Sequence, residues 1–351
     1  MSSATPQTDV CWLSRVKVIQ AEAGGRLRYL DNGPHAVTQR DLHYKFGARF
    51  TVSLTKSENT YVHVRAETGD SFNNDHNYTA AGLGSRVNTF NVKDIFFGHE
   101  IRERAEVQAG GLDYDRGAGS EATYADNDGW LEGYRVVLKG RGASLLPNRL
   151  SFTAGYVGDL KQPDFFRRLH RLKQLNYIQI LGQKSLGAKT ETSAEFTGIN
   201  GIPFFRAGIT RKNPSLRVVD DIILEAIVRT GHNTALGWSS TVSRKLDSPG
   251  HWRCSATYSD TPTKLFERKG THFWQSGDKM SLGKRLGATL YFSPLHDFEV
   301  IWFASRRLDA TPGTRYRAQL VVRYQLASLL SSLFSRRRAL DSSPQIRPEG
   351  P

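Results

Sequence analysis

Residues Tyr44–Thr55 alternate between two kinds of side chain, and that alternation limits the fold more than any other feature of the chain. Tyr44, Phe46, Ala48, Phe50, Val52 and Leu54 form one row, and Lys45, Gly47, Arg49, Thr51, Ser53 and Thr55 form the other. A period of two belongs to an extended strand, whose successive side chains point to opposite faces. The division returns along the chain. Val62, Val64 and Ala66 oppose His63, Arg65 and Glu67; Trp252, Cys254, Ala256 and Tyr258 oppose Arg253, Ser255, Thr257 and Ser259. Near the end, Tyr316, Ala318, Leu320, Val322 and Tyr324 oppose Arg317, Gln319, Arg323 and Gln325. We count about sixteen such segments, within a range of about 14–18, from roughly Arg26 to Leu326. Three of them, Leu175–Leu181, Val218–Arg229 and Phe298–Ser305, are apolar on both faces, and Phe165–Leu175 reads as one short helix.

The connections carry independent information. Links after the first, third, fifth, seventh and thirteenth segments are long: Gly33–Leu42, Asp70–Ser85, Asp113–Gly129, Asp159–Lys173 and Thr261–Gly283. Links at even joints are short, as at Lys56–Asn59 and Ser293–Pro294. Long loops on one side and tight turns on the other are what an up-and-down barrel in an outer membrane predicts.

The chemistry of the two rows fixes which face points out. About sixteen strands closed into one barrel leave a lumen too wide for side chains to fill. The row of Arg, Lys, Glu, Ser, Thr and Gly suits water, so it lines that lumen. The apolar row then faces outward, which lipid tolerates. Closure satisfies the backbone hydrogen bonds of every strand within the bilayer. The fold expected is therefore all-β: a single transmembrane antiparallel up-and-down β-barrel over residues 25–330. A loose N-terminal segment (1–24) precedes it and a basic C-terminal tail (331–351) follows it. A negative mean hydropathy does not oppose this, because only alternate residues of a barrel strand meet lipid.

The formal net charge is +14. On the alternation, the basic residues lining the pore are Lys45, Arg49, Arg65, Arg135, Lys139, Arg206, Arg253, Arg285, Arg317 and Arg323, against Glu67, Glu106, Glu191 and Glu195. Rings of side-chain charge in a narrow pore select by sign, so basic excess favours anions. The two cysteines, Cys11 and Cys254, form no metal or disulfide pattern. No secretory signal is legible, since Met1–Val10 is polar and Cys11–Ala23 carries charges. No HExxH, GxSxG or phosphate-binding glycine motif occurs, so no enzyme and no cofactor are expected. Asp126-Asn127-Asp128-Gly129 lacks the spaced ligands of a calcium loop and reads as a turn.

Residues Arg26 to Leu326 resemble the porin-type outer-membrane proteins of Gram-negative bacteria, with the alginate-export type close in style. The resemblance lies in the first strand Arg26-Leu27-Arg28-Tyr29-Leu30-Asp31, in Phe46–Leu54, in Glu106-Val107-Gln108-Ala109-Gly110-Gly111, and in Asp126–Arg135 as a loop returning into a strand. The chain departs from the pattern at its end, where Phe334 is followed by a basic tail and is not terminal. The resemblance implies passive diffusion of small anionic or polar solutes, an outer-membrane setting of lipid and lipopolysaccharide, and a third long loop folded into the lumen. It leaves a homotrimer open. That loop, Asp113–Gly129, carries Asp113, Asp115, Glu121, Asp126 and Asp128. The expectation is that Asp113, Asp115 and Glu121 face Arg49, Arg65 and Arg135 across a constriction. Two other classes stay open: a non-conducting structural or adhesion barrel, whose lumen would be filled with paired charges and bulky residues, and a soluble basic β-protein. The second would bind nucleic acid through aromatic and basic residues on one shared face. Here those residues occupy opposite rows, so no nucleic-acid partner is expected.

Overall fold

A computed structural model describes residues 15–32, 38–71, 74–82, 85–119, 130–140, 147–159, 161–213, 218–231, 234–265, 282–311 and 313–332. Its strands are β1 (Val16–Asp31), β2 (Gln39–Ser53), β3 (Thr60–Thr68), β4 (Asn77–Gly82), β5 (Phe90–Ile101) and β6 (Ala105–Asp113). They continue as β7 (Trp130–Lys139), β8 (Arg149–Tyr156), β9 (Tyr177–Leu186), β10 (Thr190–Ile199), β11 (Ile202–Lys212) and β12 (Asp221–Arg229). The last are β13 (Ala235–Lys245), β14 (Trp252–Thr261), β15 (Gly283–Leu295), β16 (Phe298–Arg307) and β17 (Tyr316–Gln325).

Each strand pairs antiparallel with its neighbour, and β17 returns to β1, with Ala23 opposite Tyr324 and Leu30 opposite Arg317. β3 and β4 share one lane. β3 covers β2 from Gly47 to Ser53, and β4 resumes beside Asp41–Tyr44. The closed ring therefore has 16 antiparallel lanes. The link read from sequence as one loop, Asp70–Ser85, thus contains a strand. No helix among the described residues is long and apolar enough to cross a membrane, which says nothing about a barrel.

Alternation sets the two faces. Phe46 is 51% exposed and its neighbour Lys45 9%. In β9, Ile178 and Ile180 are exposed while Tyr177, Gln179 and Leu181 are buried. Around the ring the exposed row is apolar, including Leu27, Phe97, Tyr134, Phe205, Leu236 and Leu286. In register across four strands, Ala256, Ala288, Ala304 and Ala318 stand side by side on that outer face. The buried row holds Arg65, Glu67, Arg135, Ser151, Thr153, Gln179, Glu195, Arg206 and Ser259.

Three boundaries differ from the sequence reading. The barrel begins at Val16, ahead of residue 25, because Gln20 and Glu22 already belong to the wall behind an irregularity at Val18/Gln20. Glu22 pairs with Lys45 at 2.5 Å. The turn placed at Ser293–Pro294 lies at 296–297, and the proline sits in a register shift between Phe292 and Leu295. Bulges are where a strand tolerates a residue with no N–H. Residues 327–332 are helical.

The sequence puts apolar residues on both faces of Leu175–Leu181, Val218–Arg229 and Phe298–Ser305, and in the last of these Ile301 and Phe303 are buried. Such buried residues are more numerous. Leu112, Tyr114, Leu131, Tyr177, Ile199, Ile202, Phe204, Ile227 and Leu265 form a buried cluster at the end of the barrel that carries the long connections. At that end Asn200 (φ 50°) and Gly201 (φ 75°) make a two-residue turn between Ile199 and Ile202. Both φ values are positive, as the hairpin turns favoured by Asn-Gly require.

Candidate functional site

The inner wall carries the candidate site, and three connections fold against it. The first leaves β6 at Asp113. The Asp113 carboxylate lies 3.1 Å from Arg49 and 3.3 Å from Arg65. From there residues 114–118 cross the wall of β8 to β11. Asp115 accepts a hydrogen bond from the Ser151 hydroxyl and pairs with Arg149 at 2.8 Å. Gln179 and Gln183 donate to the backbone oxygens of Asp115 and Arg116, each at 2.8 Å, and Ser193 donates to that of Ala118 at 3.1 Å. All four donors lie on the inward rows of their strands. Gly208 on β11 has no side chain because the Ala118 carbonyl oxygen lies where its Cβ would be.

The second connection departs after Thr68 at Gly69 (φ 110°), which no larger residue adopts easily. It brings Asp75 into contact with Lys45 and His76. Lys93 donates to the Asn74 carbonyl at 2.6 Å and pairs with Glu67 at 3.0 Å. Burial holds the His76 imidazole below its usual value. Burial alone would raise the Asp75 carboxyl, but His76 and Lys45 hold it well below the carboxylate range. The third connection places the turn Thr263–Leu265 over β12 and β13. Arg229 donates to the Lys264 carbonyl at 2.6 Å, and Leu265 is fully buried.

A fourth connection stays at the rim. α1 (Phe165–Arg168) is capped by Asp164 and runs on as a 3-10 turn over Leu169–Lys173. Trp130 and Glu132 continue the outward alternation of Tyr134, Val136 and Leu138. They are nevertheless buried, with Arg168 lying 3.6 Å from Glu132 and 4.8 Å over the Trp130 ring.

The structure places the sequence-derived wall residues as follows. Lys45, Arg49, Arg65 and Arg135 lie together along β2, β3 and β7. Arg65 also meets Glu67 at 2.7 Å and Asp94 at 3.4 Å. Arg135 donates to Gln108, to Thr153 and to the Asp113 carbonyl, and its Nε lies 4.0 Å from Asp115. Acid and base on this side meet directly, whereas the sequence reading had them facing one another across open space. Lys139 sits at the short-turn end with Glu100 and Glu106, and Arg206 pairs with Glu195 at 2.9 Å. Arg253, Arg285, Arg317 and Arg323 lie on β14 to β17, the strands that close onto β1. Arg253 stacks 4.5 Å from the Tyr291 ring, and Arg323 reaches Glu22 at 3.5 Å. Glu121, Asp126 and Asp128 lie outside the described residues.

Several participants escaped the sequence reading. Lys93 is the extra residue of a β-bulge opposite Arg65 and Ala66, so simple alternation misplaces it. Asp75 lies in a connection read only as a long link, Asp70–Ser85. Arg307 follows Arg306 directly, and only the register opposite Arg285 shows which of the two points inward.

No family model matches the chain, and no curated protein does. Solved structures do resemble it. A mutant of the porin of Rh. blastica aligns at TM-score 0.56 with 11% identity, covering 88% of this chain and 99% of that one. Salmonella typhi OmpF, in complex with daunomycin, aligns at TM-score 0.55 with 12% identity, covering 88% of this chain and 97% of that one. The fold is the porin-type barrel: closed, antiparallel and 16-stranded.

Proposed function

We propose that this chain is a porin-like channel of an outer membrane, passing small polar solutes by passive diffusion and favouring anions. One observation carries the reading. A closed ring of 16 strands turns its apolar row outward and its charged row inward, the reverse of a water-soluble globule. The segment 114–118, held on the inner wall by Asp115, Gln179, Gln183 and Ser193, narrows the lumen as a constriction would. The likeness to solved porins adds support at the level of fold.

The preference for anions follows from charge bookkeeping along the wall. Lys45, Arg49, Arg65 and Lys93 have carboxylate partners, whereas Arg285 hydrogen-bonds only to neutral groups among the described residues. The test is a planar-bilayer recording of the purified full chain. Stepwise currents are expected, with a reversal potential in a salt gradient displaced toward that of chloride. Displacement toward potassium would remove the preference, and absence of current would remove the channel.

A plugged, non-conducting barrel is the second reading, and the apolar cluster around Tyr177, Phe204 and Leu265 favours it. The same recording separates the two, since a plugged barrel inserts and stays silent.

A further inference from the structure

Leu42, Leu27, Leu320, Trp302 and Leu290 stand in one outward row across β2, β1, β17, β16 and β15. The next outward row toward the long connections holds Ala318, Ala304 and Ala288. Beside the larger side chains this second row is sunken, and the outer face carries an open apolar groove there, of about 970 Å³.

The loop-side edge of the groove is charged. Arg40 on β2 stands opposite Tyr29 on β1, and Arg306 on β16 stands opposite Tyr316 on β17. The two tyrosine rings meet edge to face with centroids 6.0 Å apart, and the Arg40 guanidinium lies 5.9 Å from the Tyr29 ring. The order across four adjacent strands is thus Arg40, Tyr29, Tyr316, Arg306. Side chains with an apolar body and a polar tip sit this way where hydrocarbon meets headgroups. Both arginines are exposed, and neither meets a carboxylate among the described residues. The acids of this rim are engaged: Asp31 pairs with Arg315 at 2.6 Å, and Asp260 lies 4.0 Å from Lys284.

Charge decides between occupants. On the outward rows of the described strands the carboxylates are Asp31, Glu132 and Asp260, and each already has a cation beside it. A second copy of this chain therefore brings no spare anion from those rows to Arg40 and Arg306. A phosphate ester does, and guanidinium forks suit its oxygens. Acyl chains fill an apolar groove at hydrocarbon depth. Three strand spacings, about 14 Å, separate β2 from β16, so a headgroup with a phosphate at each end spans the two arginines.

We propose that this groove binds the bisphosphorylated glycolipid of lipopolysaccharide, lipid A, in the loop-side leaflet. One phosphate meets Arg40, the other meets Arg306, and an acyl chain lies along Leu27, Leu320 and Trp302. The assignment rests on the outer-membrane setting of the proposed function and not on passage through the lumen.

The test is native mass spectrometry of the full chain, refolded in detergent and incubated with bisphosphorylated lipid A, with its dephosphorylated form or with phosphatidylglycerol. Planar-bilayer currents are recorded in parallel. Bisphosphorylated lipid A is expected to be retained at least about tenfold better than the dephosphorylated form. Arg40→Gln with Arg306→Gln should lower that retention at least about tenfold. Ala304→Phe, which fills the groove, should lower it with both arginines intact. Arg211→Gln, an exposed outward arginine of β11, should stay within about twofold of the parent. Heat-modifiable migration reports that each barrel is closed. If the double variant does not close, Arg306→Gln alone carries the test, with a loss of about fivefold. No retention by the parent, undiminished retention by the arginine or groove variants, or equal retention of phosphatidylglycerol overturns the site. Lipid-free dimers or trimers that Ala304→Phe dissociates overturn it in favour of a second copy. Currents without lipid retention remove the groove and leave the channel; retention without currents supports the groove and removes the channel.

Discussion

Arg149 Nη1 and Asp115 Oδ2 lie 2.8 Å apart, joining β8 to the segment that runs along the inner wall. Asp115 is the only carboxylate of residues 114–118, and it is held by this pair, by the hydrogen bond from Ser151 and, at 4.0 Å, by Arg135. Neutral hydrogen bonds from Gln179, Gln183 and Ser193 add to it.

Replacing Asp115 by alanine should therefore loosen the segment without opening the barrel. A charge-assisted hydrogen bond contributes about 1.5–3 kcal/mol. The Arg149 side chain is 31% exposed, so solvent screening reduces this to about 1–2 kcal/mol. Asp115→Ala is expected to raise single-channel conductance and open-channel noise while heat-modifiable migration stays normal. Unchanged conductance and noise would mean that the neutral bonds suffice.

Gly208 probes the same contact from the wall. A Cβ there would overlap the Ala118 carbonyl oxygen, and backbone cannot step aside as the end of a side chain can. Gly208→Val should displace residues 117–119 from β11 and break the bond from Ser193. The β-branched residue suits the strand itself, so the barrel should form. Increased protease cleavage near residue 118, with no change at β11, is the expected result. Cleavage equal to that of the parent would show that the segment does not rest on this glycine.

Much of this arrangement is legible in the sequence, and the failures have local causes. Alternation in β2, β3, β14 and β17 assigns Lys45, Arg49, Arg65, Arg253 and Arg317 to the inner row, because a period of two survives wherever a strand is regular. It fails at Lys93, where a bulge adds a residue. It also fails at Trp130 and Glu132, whose outward alternation is covered by Arg168. Connection lengths reveal a long link after β6. They cannot reveal that Asp75 turns inward to Lys45, since a short inward fold and an exposed loop have the same composition. Nor does a list of inward charges say which are neutralised. Arg65 and Arg285 look alike in sequence, yet among the described residues one meets three carboxylates and the other bonds only neutral groups.

The connection bearing Asp75 and His76 should respond to acid. Burial lowers the His76 pKa, against the pull of Asp75, while Arg26 and Lys45 lower it further. The detached segment therefore binds more protons than the attached one between that lowered value and the ordinary imidazole value of about 6.5. Attachment weakens as pH falls through about 6.5, and the loss is complete below the lowered value. Asp75 acts in the same sense further down: its lowered pKa stabilises the attached state above about 3.9 and ceases to do so as pH falls toward the folded value. Hydrogen exchange of residues 74–78 should be faster at pH 5.5 than at pH 7.5, after correction for intrinsic rates. His76→Gln should remove that step. A step of equal size in the variant would assign it to another group.

Ser255 and Ala256 are adjacent in β14 and face opposite ways, which makes them the sharpest test of the inverted barrel. Ala256 is exposed on the outer row, paired with Ala288, and Ser255 is on the inner row, paired with Thr289. If the outer row meets hydrocarbon, an arginine at 256 must carry its charge into lipid, at a cost of about 2–4 kcal/mol near the bilayer midplane. An arginine at 255 enters a hydrated lumen already lined by Arg253 and costs little. Refolding into lipid vesicles from denaturant should therefore show Ala256→Arg destabilised by about 2–4 kcal/mol and Ser255→Arg within about 1 kcal/mol of the parent. In a water-soluble barrel with this sequence the order would reverse, because position 256 would be solvated and position 255 would lie in the interior. Equal effects at the two positions would mean that neither face meets lipid.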